Sequence, residues 1–92
     1  MLHNNNWVSV EFTQSARRHK IGKARVRQVL ANPVVVDRIV EEHDPRVRLL
    51  ILGDDDTGRA LEVIAVEEVF AVIYAMDLRR KFRALYEEGK RP

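Results

Sequence analysis

Four apolar runs dominate this 92-residue chain from its middle onward, at residues 34–40, 47–52, 61–66 and 70–76. They are rich in β-branched residues and separated by polar turn-formers, so they read as strands. The connection Gly53-Asp54-Asp55-Asp56-Thr57-Gly58 carries turn residues at both ends, and Glu67-Glu68 marks the next reversal. Parallel neighbours need a crossover of about a dozen residues or more, far longer than these loops. The pattern predicts an antiparallel meander of three to four strands.

The flanking segments read as helical. Thr13 and Ser15 are candidate N-caps for a short helix to about Lys20, Ile21-Gly22 interrupts it, and a second helix runs from Lys23 to Ala31. Val26, Val29 and Leu30 share one face of that second helix, and Asn32-Pro33 ends it, because Pro disfavours a helical residue before it. Residues 7–12 alternate with period two, as a short strand or an extended lead-in, and residues 1–6 read as a frayed terminus. After the last strand, Asp77 is the expected N-cap of a basic helix reaching Tyr86, with Leu78, Phe82 and Leu85 facing the core. At about 100° per residue, Arg79, Arg83 and Tyr86 fall on an adjacent stripe, where guanidinium and phenol groups meet one ligand together. The expectation is one α+β domain of two N-terminal helices, the meander and a C-terminal basic helix, with helices laid on one face of the sheet.

Composition narrows the chemistry. Apolar residues make up 46% and charged residues 33%, a globular balance. No apolar run approaches the roughly 20 residues of a membrane span, and the start lacks the regions of a signal peptide, so a cytoplasmic protein is expected. Cysteine is absent, which fits that compartment and leaves His, Tyr, Arg, Lys and carboxylates to carry any reaction. The net charge is only +2, but it is unevenly spread. Arg17, Arg18, Lys20, Lys23, Arg25 and Arg27 stand between Phe12 and Val36 without a single acid, while ten acids face four cations from Asp37 to Met76. Two basic segments thus flank an acidic sheet, and side by side they make a patch suited to a polyanion.

The acidic loop has a superficial likeness to a calcium loop, but no Glu stands at the twelfth position counted from Asp54. It reads as a solvated hairpin turn, and no metal or other cofactor is expected. No pair among His3, His19 and His43 has metal-ligand spacing. His19 is set apart by its cationic neighbours Arg17, Arg18 and Lys20, which favour a neutral imidazole able to act as a base.

His19 with Ile21-Gly22 before a helix, Gly58-Arg59-x-Leu61-x-Val63, and Ile73-x-Ala75 followed by a basic helix ending in Tyr86 together resemble the BrnT-type toxins of the broader RelE/ParE-like group. The resemblance spans about residues 17–86. It implies the same α+β arrangement and a metal-independent endoribonuclease that cuts mRNA, on or off the ribosome, and inhibits translation. It also implies a cognate antitoxin as partner, with a homodimer or a toxin–antitoxin hetero-oligomer as the assembly. Carried over by position, it points to His19, Arg59, Arg79, Arg83 and Tyr86 as catalytic; from the two basic segments themselves, Arg17, Arg18, Lys20, Lys23, Arg27, Arg80 and Lys81 are the expected nucleic-acid contacts. One departure stands out: the family's Ser-Ala-Arg is replaced by Tyr74-Ala75-Met76, and Arg79 or Arg80 would have to supply the missing charge.

The implied chemistry is attack of a ribose 2′-hydroxyl on the adjacent phosphate, with His19 or Tyr86 moving the proton and Arg59, Arg79 and Arg83 holding the phosphate. Two other readings stay open: a nucleic-acid-binding module of the same fold without catalysis, favoured by Met76, and an interaction domain whose basic groove receives an acidic helical partner.

Overall fold

The apolar runs become four consecutive strands in a computed structural model that describes residues 10–13 and 19–92. The elements are β1 (Glu11–Phe12), α1 (Lys23–Ala31), β2 (Val35–Glu41), β3 (Asp44–Asp54), β4 (Ala60–Val66), β5 (Ala71–Asp77), a 3-10 turn (Arg80–Phe82) and α2 (Arg83–Lys90). The meander from β2 to β5 is antiparallel throughout, with Leu50 opposite Ile64 and Ile64 opposite Tyr74. The expected sheet is nevertheless wrong in number and type. It has five strands in the order β1-β5-β4-β3-β2, and β1 lies parallel to β5, pairing Glu11 with Ala71 and Phe12 with Val72. The short-loop argument fails only there, because α1 and the whole meander connect these two strands.

Two α-helices are present among the described residues, one before the meander and one after it. The helix expected from about Thr13 to Lys20 falls largely on residues outside the described ones. The C-terminal helix does not begin at Asp77: that residue closes β5 in register with Leu61, and the helical turn starts three residues later.

Both faces of the sheet are covered, not one. Val26, Val29 and Leu30 of α1 pack with Leu49, Ile51, Leu61, Val63, Ala65, Val72 and Ala75. On the opposite face, Leu50, Leu52 and Ile64 meet Tyr86, with Phe82, Leu85 and Leu78 packed against them. Double coverage is why residues 49–52 and 61–66 are buried without a break, where a half-exposed sheet would alternate.

Two local features aim side chains. A bulge in β5 leaves Ile73 unpaired, because Ile64 opposes Tyr74 while Ala65 opposes Val72. Ile73 and Tyr74 therefore both join the α2-side layer. The acidic loop is a tight turn in which Asp55 Oδ1 accepts from the Thr57 amide at 2.9 Å, the Thr57 hydroxyl at 2.6 Å and the Arg59 amide at 3.0 Å. Gly58 supplies the positive φ of 85° that this turn needs.

Candidate functional site

The β5 bulge brings Tyr74 to His19. His19 is exposed, its Nε2 lies 3.3 Å from the Tyr74 hydroxyl, and the two rings sit 5.2 Å apart at a 44° tilt. Lys20, the next residue, has φ of 60°, and this left-handed turn sends His19 to the Tyr74 side while Ile21 enters the α1-side core.

Arg79 completes the cluster from the segment after β5. Its guanidinium carbon stands 5.9 Å from the Tyr74 ring centre and 5.4 Å from that of Phe82, within cation–π range of both. Lys81 covers Phe82 as well, at 5.1 Å. Arg79 is held from behind by Glu62, a β4 residue with no exposed surface. The Arg79 amide donates to Glu62 Oε1 at 2.8 Å, and its Nε and Nη2 approach Oε2 at 2.9 and 2.7 Å. The hydrogen bond that Arg79 donates to the Glu62 carboxylate raises its pKa further above the ordinary value, so the charge is permanent.

The remaining expected catalytic residues lie elsewhere. Arg59 is engaged in a two-point ion pair with Asp77 and stands over the turn beside Asp55 and Arg25. Asp77 belongs to the α1-facing row of β5 with Ala75, whereas Tyr74 faces α2, so Arg59 and His19 serve different sides of the sheet. Tyr86 is buried and donates its hydroxyl to Asp54, whose other oxygen binds Lys90. Burial first, and then the Asp54 carboxylate, push the Tyr86 phenol above its usual range, which makes it a structural hydrogen-bond donor. Arg83 lies over the Tyr86 ring at 5.8 Å and is exposed. The stripe expected from Arg79, Arg83 and Tyr86 therefore does not form, because Arg79 precedes the helix and Tyr86 turns inward.

Among the expected nucleic-acid contacts, Lys23 and Arg27 of α1 both cover Phe12, at 5.5 and 5.3 Å. Lys20, Ile21, Gly22 and Lys23 line an open cavity of about 280 Å3 at the start of α1. Arg80 opens the 3-10 turn and is exposed, whereas Arg17 and Arg18 lie outside the described residues.

Sequence reasoning passed over Tyr74 and Glu62 and assigned Phe82 to the core alone. The signal for Glu62 was a lone carboxylate inside the apolar run 61–66. For Tyr74 there was none, since its direction depends on the bulge.

Among the described residues, no three His, Asp or Glu side chains converge as metal ligands, and no helix is long and apolar enough to cross a membrane. The chain matches no family model, no curated protein and no solved structure.

Proposed function

We propose that this chain is the toxin component of a bacterial toxin–antitoxin module that acts on single-stranded RNA in the cytoplasm and is neutralised by a cognate antitoxin. The observation that carries the reading is the alternation of aromatic rings and cations at one place: Tyr74 and Phe82 with Arg79 between them, Lys81 beside them and His19 in contact with Tyr74. Unstacked bases bind such surfaces by stacking, worth about 1–3 kcal/mol per base, while cations hold the backbone. His19, whose imidazole can both accept and donate a proton, is the candidate base or acid for 2′-hydroxyl attack on the adjacent phosphate.

The test is direct. Expression without a partner is expected to arrest growth, and purified protein to cleave single-stranded RNA, with or without ribosomes. His19→Ala is expected to reduce cleavage about 10²-fold or more while RNA binding persists. RNA neither bound nor cut, together with harmless expression, would remove the proposal.

A second reading, RNA binding without cleavage, is favoured by one specific observation. Met76 is buried where the family resemblance expects an arginine, and the replacement cation, Arg79, is already paired to Glu62. This reading predicts RNA affinity that falls steeply with salt and an intact RNA product.

A further inference from the structure

Glu62 is ill-suited to the place it occupies unless Arg79 needs it. It lies in a central strand, opposite Leu52 on β3 and Met76 on β5, both buried and apolar. An apolar side chain of similar volume would satisfy that layer, and buried ion pairs are often replaced in this way without loss of stability. The pair is also lopsided: the Glu62 side chain is 0% exposed and the Arg79 side chain 40%. The carboxylate holds both the main chain and the side chain of Arg79, leaving the guanidinium edge that carries Nη1 unused by Glu62. With Tyr74 and Phe82 flanking it, the planar fork is fixed in direction before any ligand arrives. A fixed fork beside a hydroxyl and an imidazole matches the oxygens of one phosphate.

We propose that Glu62 is a positioning residue: it fixes Arg79 as a phosphate-binding group, and the Tyr74 hydroxyl and His19 imidazole complete a site for a single phosphate. The proposal rests on the RNA reading only for the source of that phosphate, a backbone diester of a single strand. It makes a prediction opposite to simple electrostatics. Replacing Glu62 by Gln removes a negative charge, which by Coulomb attraction alone would tighten binding of any polyanion. Loss of positioning weakens it instead.

The experiment titrates inorganic phosphate, and separately a fluorescein-labelled single-stranded oligouridylate, into the full-length chain with 15N labelling of the Arg79 Nε and the His19 ring. Thermal unfolding is followed in parallel for wild type, Glu62→Gln and Arg79→Lys. Phosphate is expected to shift the Arg79 and His19 signals in wild type, and Glu62→Gln, still folded, to bind both probes about tenfold more weakly. Arg79→Lys, which keeps the charge but loses the fork, is expected to show a similar loss. Unchanged or tighter binding by folded Glu62→Gln overturns the proposal. If Glu62→Gln does not fold, Arg79→Lys decides, with undiminished phosphate binding overturning it. RNA binding without a phosphate response at Arg79 sinks this inference and leaves the RNA reading standing, while a phosphate response without RNA binding does the reverse.

Discussion

Tyr86 shows how far one residue's role depends on where its helix starts. Counted on a helix beginning at Asp77 it shares a stripe with Arg79 and Arg83, but the 3-10 turn at Arg80–Phe82 intervenes and α2 begins only at Arg83. The phenol then points inward to Asp54. Tyr86→Phe is expected to lower unfolding free energy by about 1 kcal/mol, the typical net value of one intramolecular hydrogen bond, and to leave RNA affinity unchanged. Urea denaturation at constant m, paired with RNA anisotropy, checks both halves; a stable variant that has lost RNA binding would restore Tyr86 to the site. Residue type singled out the cations of the two basic segments, and was a poor guide to their partners. Arg79 was legible as a cation of the second basic segment, but the Glu62 that holds it lies 17 positions earlier in sequence. Tyr74 was not legible as a site residue, because the bulge that aims it has no sequence signature.

Elements were more legible than residues wherever a local rule governs them. The helix from Lys23 to Ala31 and the four meander strands follow from periodicity, Pro33 and turn chemistry. What escaped is non-local. The β1–β5 pair joins strands nearly sixty residues apart, and a two-residue strand carries almost no pattern of its own. Coverage of both faces was written in the unbroken apolar run at residues 49–52, since a strand with one wet face alternates. Gly89 tests how tightly α2 lies on the sheet. A Cβ there would approach Val35 Cγ2 to 2.6 Å, Val34 Cγ1 to 2.8 Å and the Val34 carbonyl oxygen to 3.0 Å. Helix propensity alone favours Ala over Gly by about 1 kcal/mol. Valines have little χ1 freedom with which to yield, and overpacking costs about 1–3 kcal/mol, so Gly89→Ala is expected to destabilise on balance. A rise in the thermal midpoint would show that α2 sits more loosely than its contacts with Val34 and Val35 imply.

For the whole molecule, the uneven charge distribution becomes a pH profile. Side-chain and backbone hydrogen bonds from Arg46, together with one from Arg48, hold the Asp44 carboxyl well below the usual carboxylate range, and a hydrogen bond from the Thr57 hydroxyl lowers Asp55. Asp77 is lowered by its hydrogen bonds from Arg59. Burial alone would raise Asp54, but hydrogen bonds from Lys90 and Tyr86 outweigh it and bring it down as well. Each of these groups binds a proton more readily unfolded, where an aspartate titrates near about 3.9, than folded. Their contribution to stability is therefore complete above about pH 5 and is lost as pH falls through 4 towards the depressed folded values. At the other end, burial and Asp54 raise the Tyr86 phenol, and the hydrogen bonds that Lys90 donates to Asp54 and Tyr86 raise its ammonium. Those contributions are present below the unfolded values near 10 and decline as pH rises through the folded ones. Unfolding free energy measured by urea from pH 2 to 11 is expected to show a plateau between about pH 5 and 9 with a fall on both sides. Asp54 stands in both limbs, because its carboxylate is lowered by the same two groups whose protons it retains. Asp54→Asn should therefore flatten the acid limb and the alkaline limb together, whereas Asp77→Asn should flatten the acid limb alone. A profile for Asp54→Asn that parallels wild type at both ends would mean that the Asp54, Tyr86 and Lys90 contacts do not persist in solution.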